Sequence, residues 1–156
     1  MIYSKNGHRP NLLEHLCEVF PRHVVLHYGQ YKREQLFEAA RRSRACAYLA
    51  DDDHGPLALQ EILLAGCPVV GVRTGAPFIQ DGVTGVFVDR LPPGAKCATN
   101  DSDAAALGDY LESLRRAMEL DRRSARAAAA DEFATDRVAG QVLMVLDELK
   151  TCMREA

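Results

Sequence analysis

Asp51-Asp52-Asp53-His54-Gly55-Pro56-Leu57-Ala58-Leu59-Gln60-Glu61-Ile62-Leu63-Leu64-Ala65-Gly66-Cys67-Pro68-Val69-Val70-Gly71-Val72 contains a loop, a helix and a strand in that order. The acidic loop closes on Gly-Pro, and Pro56 suits the start of a helix, where its missing N–H costs nothing. A helix over Pro56–Ala65 follows, and Gly66 stops it. Pro68–Val72 is a short β-branched run with turn residues on its flank, the pattern of a buried strand. A helix passing directly into an apolar strand is half of a βα unit and points to a parallel sheet covered on both faces.

The same alternation runs through the rest of the chain. Strands are predicted near Ile2–Ser4, His23–His27, Ala45–Ala50 and Val86–Val88, with helices over Pro10–Phe20 and Lys32–Ser43. Beyond Asp89, Leu91-Pro92-Pro93-Gly94 is a loop. Asp101–Leu120 has the length and spacing of a long helix, capped by Asp101 or Asp103. Arg122–Glu132 and Asp136–Arg154 follow as helices, the last with Val138, Val142, Val145 and Leu149 on one stripe. The expectation is an α/β fold: a doubly wound, Rossmann-like parallel sheet with terminal helices, forming a single domain over residues 1–156.

The 156 residues are 47% hydrophobic and 26% charged, ordinary for one globular domain. A formal net charge of −3 gives no global basic field, so nucleic acid is not an expected partner. Cys17, Cys46, Cys67, Cys97 and Cys152 are odd in number and form no Cys-x-x-Cys pair. They read as reduced thiols of a cytoplasmic protein rather than a zinc site, with Cys46 and Cys67 in the core. No window approaches the roughly 20 apolar residues of a transmembrane segment, and Met1–Lys5 lacks the pattern of a leader.

A doubly wound sheet takes ligands beyond the carboxyl ends of its strands. The loops expected there are Lys5–Arg9, Tyr28–Tyr31, Asp51–Gly55 and Arg73–Pro77. Carboxylates suit paired sugar hydroxyls, and a helix N-terminus suits a phosphate, so the Asp53–Glu61 segment can grip both ends of a nucleotide-sugar. The plainer reading is that Asp51–Asp53 are helix-capping and solvated loop acids. Lys5 and Arg9 read either as cations for a diphosphate or as surface charges. Tyr28, Gly29 and Tyr31 read as a stacking loop or as packing. Gly75 reads as a close backbone approach to a ligand or as a turn. His54 reads as a surface partner of a carboxylate, and Arg41, Arg42 and Arg44 as a solvated helix end. Asp51–Asp53 are hard oxygen ligands that suit Mg²⁺, but the pattern requires no metal.

Asp53–Glu61, Ala65-Gly66-Cys67-Pro68-Val69-Val70, Gly75 and Asp81-Gly82-Val83-Thr84-Gly85-Val86-Phe87-Val88 together resemble the donor-site segment of retaining glycosyltransferases of the glycogen synthase type. That family has the two-domain GT-B fold. The resemblance covers about residues 26–90 of the chain. It implies that Glu61 holds the donor ribose hydroxyls and Asp53 the transferred sugar, with the backbone at Gly55 and Leu57 facing sugar and diphosphate. His54 falls within the same loop. Lys5 stands where the family has an Arg, and His8 or Arg9 near its diphosphate Lys; Tyr28 and Gly29 fall in its base-binding loop. Asp53 replaces the usual Glu, and Pro56 a usual Gly, which removes one N–H from the anion site.

The implied function is the donor-binding half of a glycosyltransferase. It would take a UDP-, GDP- or ADP-sugar as substrate, hold no tightly bound cofactor and transfer the sugar with retention. The N-terminal acceptor-binding domain of the family has no counterpart in these residues, so a parent chain or another polypeptide would supply it. The alternatives are a degenerate, non-catalytic nucleotide-binding or assembly module, and a receiver-type signalling domain, which would want acids where Lys5 ends the first strand.

Overall fold

The computed structural model describes residues 1–5, 9–93, 101–140 and 143–144. Among the described residues five strands, β1 (Ile2–Ser4), β2 (Val25–His27), β3 (Cys46–Leu49), β4 (Val69–Val72) and β5 (Gly85–Val88), are present, and α1 (Pro10–Val19), α2 (Arg33–Arg42) and α3 (Leu57–Leu64) separate the first four. Two further helices follow, α4 (Asp101–Glu119) and α5 (Arg122–Glu132). The strands form one sheet in the order β2-β1-β3-β4-β5, and every adjacent pair is parallel. The chain winds outward from β1 to β2 and then returns across β1 to β3. Strand order therefore reverses between β1 and β3, the place where doubly wound sheets open a crevice.

Side chains alternate across the sheet, and both faces are covered. Cys46 and Tyr48 of β3 join Tyr3 and Val69 under α2, α3 and α5, whose Leu36, Leu59, Ile62, Leu63 and Ala129 complete that core. Ala47 and Leu49 face the other way, with Ile2, Val70 and Val86, and meet Leu12 and Leu16 of α1 and Leu107, Tyr110 and Leu114 of α4. Two apolar faces explain why the strands read as continuous apolar runs. The sequence expectation of a doubly wound, Rossmann-like α/β fold holds.

Element ends differ from the sequence reading by a residue or two. The second strand starts at Val25, because His23 turns its Nδ1 to the Phe20 carbonyl at 2.7 Å and belongs to the preceding turn. Pro56 is the N-cap of α3 rather than its first residue. Gly66 ends α3 at φ +73, the left-handed conformation that glycine adopts at no cost. The connection from β4 to β5 crosses without a helix, and Gly75 lets it lie against the end of β3. A Cβ on Gly75 would stand 1.8 Å from the Ala50 carbonyl oxygen. Residues 135–140 are helical, while Val142, Val145 and Leu149 of the expected last helix lie outside the described residues, as do His8, Cys97 and Cys152. Among the described residues no helix is long and apolar enough to cross a membrane.

Candidate functional site

The loops beyond β1, β2, β3 and β4 are laced together at the carboxyl edge of the sheet. The Lys5 amide donates to Leu49 O at 3.1 Å and the Tyr28 amide to Ser4 O at 2.9 Å. The Asp53 amide donates to Thr74 O at 3.0 Å, and the Thr74 hydroxyl returns a bond to the Asp51 carbonyl. Backbone hydrogen bonds thus fix where each side chain of the site starts.

Asp53 is only 5% exposed. Its Oδ2 accepts from the Tyr48 hydroxyl at 2.8 Å, and its Oδ1 is ion-paired with Lys5 Nζ. A buried carboxylate needs such partners, because desolvation alone would disfavour its charge. Tyr48 comes from β3 and stacks on Tyr3 of β1, with centroids 4.9 Å apart and planes 9° apart. The Tyr3 hydroxyl lies 3.1 Å from that of Tyr31. Burial first, then the hydrogen bond to Asp53, pushes the Tyr48 phenol well above its ordinary pKa, so it keeps its proton and donates. Lys5 lies over the exposed Tyr28 ring, its Nζ 5.3 Å from the centroid, a cation–π contact.

Arg9, the N-cap of α1, grips Asp51 with two nitrogens at 3.2 and 2.7 Å and reaches the Leu91 carbonyl at 3.1 Å. Glu61, inside α3, pairs with Arg33, the first residue of α2. The two carboxylates singled out by sequence therefore rest on different cations. His54 pairs at 3.1 Å with Asp52, both on the surface, as its surroundings suggested. The Leu57 amide donates to the Gly55 carbonyl at 2.8 Å, a tight turn around Pro56, which has no N–H of its own. The Leu57 side chain is left 71% exposed. Gly29 turns the chain after β2 at φ +76.

A pocket of about 300 Å³ opens here, lined by Asp53, Gly55, Pro56, Arg73, Thr74 and Phe78 among others. A roomier concavity of about 640 Å³, with Met1, Ile2, Arg22, His23 and Ala45 in its lining, lies at the amino ends of the strands, the edge that doubly wound sheets do not use for ligands, and one of about 670 Å³ runs along the outer side of β2 between Val24, Leu26 and α2. Among the described residues, no group of three or more His, Cys, Asp or Glu side chains gathers as metal ligands.

Sequence reasoning missed three side chains. Tyr48 sits in an apolar strand and reads as core. Arg33 is one of several helix-surface charges until α2 and α3 are placed side by side. Arg73 lies over Phe87, its Cζ 4.0 Å from the ring centroid, and only the β4–β5 pairing brings them together. Chemically the edge offers cations, helix dipole and hydroxyl acceptors, a set for binding and charge stabilisation rather than for covalent attack. The sequence matches no protein-family model, and no curated protein matches it.

Proposed function

We propose that this chain binds a nucleotide-sugar as the donor domain of a glycosyltransferase and works with an acceptor-binding domain that lies outside these residues. One observation carries the reading: Lys5, Asp53, Gly55, Leu57 and Gly75, which the family resemblance assigns to the donor, lie together beyond the ends of β1, β3 and β4. In this reading the diphosphate sits between the start of α3 and Lys5 with Arg9. Glu61 takes the ribose hydroxyls, and the transferred sugar occupies the pocket beside Asp53. As the sugar leaves, negative charge builds on the diphosphate, and fixed cations and amide dipoles lower that barrier.

A second reading draws on the closure of Asp53. Both of its oxygens already have partners, Lys5 and Tyr48, which suits a degenerate module kept for nucleotide binding or assembly. Calorimetric titration with UDP, GDP and ADP, then with their sugar conjugates, separates the readings. The donor-domain reading expects binding to one nucleotide series and its loss in Glu61→Ala. Binding of the nucleotide with no gain from any attached sugar supports the non-catalytic module, and no binding to any of them overturns both.

A further inference from the structure

We propose that Tyr48 is a positioning residue: its hydroxyl holds the Asp53 carboxylate against Lys5 and so aims the Lys5 ammonium at the position a ligand diphosphate would take. The placement rests on the proposed nucleotide reading; the Tyr48–Asp53–Lys5 relay itself does not.

The geometry leaves Asp53 little freedom to face a ligand directly. With 5% exposure it lies beneath the loop, one oxygen accepting from Tyr48 at 2.8 Å and the other held by Lys5. Lys5 differs. Its side chain keeps 19% of its surface open. An ammonium has three N–H donors, and Asp53 occupies one of them. The relay is built on rigid parts. Tyr48 and Tyr3 stack on neighbouring strands paired Tyr3 to Tyr48, and the Tyr3 hydroxyl reaches Tyr31 in the loop after β2. Tyr28 from that same loop lies over the Lys5 ammonium. A flexible lysine stem costs rotamer entropy to immobilise, and a cation already fixed between a carboxylate and a ring has lost that freedom before a ligand arrives. Asp53 then acts through Lys5, and the ligand group read at this point is an anion.

Two measurements test this. The first needs no ligand: the rate at which N-hydroxysuccinimidyl acetate labels Lys5, followed by mass spectrometry in wild type and Tyr48→Phe. Release of the ammonium is expected to raise Lys5 labelling several-fold relative to Lys32, which has no part in the Tyr48–Asp53–Lys5 contacts. An unchanged ratio overturns the relay. The second is titration with the nucleoside diphosphate that wild type binds. Tyr48→Phe is expected to weaken it roughly tenfold, the size of a lost hydrogen bond to a charged group, and to weaken the sugar conjugate by the same factor. In a Lys5→Met background the Tyr48 substitution is expected to add nothing. If Tyr48→Phe weakens only the sugar conjugate, Asp53 meets the sugar itself and the positioning role is overturned. If labelling rises while wild type binds no nucleotide, the relay stands and the nucleotide reading falls.

Discussion

Gly66 and Arg122 hold each other from both sides: the Gly66 carbonyl accepts from Arg122 Nε at 2.8 Å, and a Cβ on Gly66 would stand 2.8 Å from the Arg122 carbonyl oxygen. The same guanidinium reaches the carbonyls of Arg41 at 2.9 Å, Ala40 at 3.1 Å and Ala65 at 3.4 Å. One side chain at the start of α5 thus binds carbonyls at the ends of both α2 and α3, where the helix dipoles favour a cation. The opposite ends of those helices carry Arg33 and the Gly55–Leu57 turn, so the clamp fixes the mount on which the candidate site stands.

Gly66→Ala should therefore cost about 2 kcal/mol, since the alanine must hold a left-handed backbone and press on the α5 backbone at once. Urea denaturation measures it as a lower midpoint with an unchanged slope. A loss below about 0.5 kcal/mol, the scale of ordinary surface substitutions, contradicts the reciprocal fit.

Arg122→Lys should recover less than half of the loss caused by Arg122→Ala, because a single ammonium cannot span four carbonyls while a planar guanidinium can. The full loss should be about 1–3 kcal/mol, as for hydrogen bonds to a charged group. Hydrogen exchange at residues 40–43 and 65–67 is the sharper probe, since the last turns of α2 and α3 should open more often in both variants.

The sheet and its helices were legible because their signals are local: short apolar runs give strands, and Pro10, Pro56 and Gly66 punctuate the helices. The gathering of Lys5, Tyr28, Asp53 and Gly75 was legible too, since the rule about strand ends needs only the element order. What pairs with what was not. Lys5 meets Asp53 because β1 and β3 are neighbours, and Arg33 meets Glu61 because α2 and α3 lie on the same face. Those facts belong to strand order. Tyr48 shows the limit most clearly: an apolar run marks its ring as core, and nothing in the run says that its hydroxyl reaches a carboxylate five residues on.

Gly75→Ala should destabilise the fold by at least about 2 kcal/mol, comparable with forced overpacking, because its Cβ would meet backbone that cannot step aside. The Ala50 carbonyl oxygen lies 1.8 Å from that position. Denaturation of the unliganded protein measures it. Full stability combined with weakened nucleotide binding would instead assign Gly75 to ligand approach alone.

The buried thiols should be inert. Burial pushes the Cys67 thiol up to about 11, and Cys46 is also held well above its ordinary range by burial. At pH 8 iodoacetamide should modify neither in the folded protein and both after denaturation, as read by peptide mapping. Cys17, partly buried and raised by desolvation and then by Glu18, should react between those extremes. Rapid modification of Cys67 before unfolding would show that α3 and β4 open locally.

Asp121, the N-cap of α5, should make the fold sensitive to acid. Its carboxylate accepts from the Ser124 hydroxyl at 2.6 Å and amide at 2.9 Å, and from the Arg123 amide at 3.4 Å. These bonds, the Ser124 hydroxyl first, hold its pKa below the ordinary carboxylate value. The folded state therefore binds its proton less readily than the unfolded chain does. The stabilisation is complete above the unfolded value of about 4 and is lost as pH falls through the lower folded value. Asp121→Asn keeps a capping oxygen but cannot ionise. The difference in Tm between wild type and Asp121→Asn should be largest at pH 7, narrow below pH 4 and approach a constant at lower pH. Circular dichroism melts across that range read it directly, and a difference that stays constant with pH would mean that the cap works through geometry and not through charge.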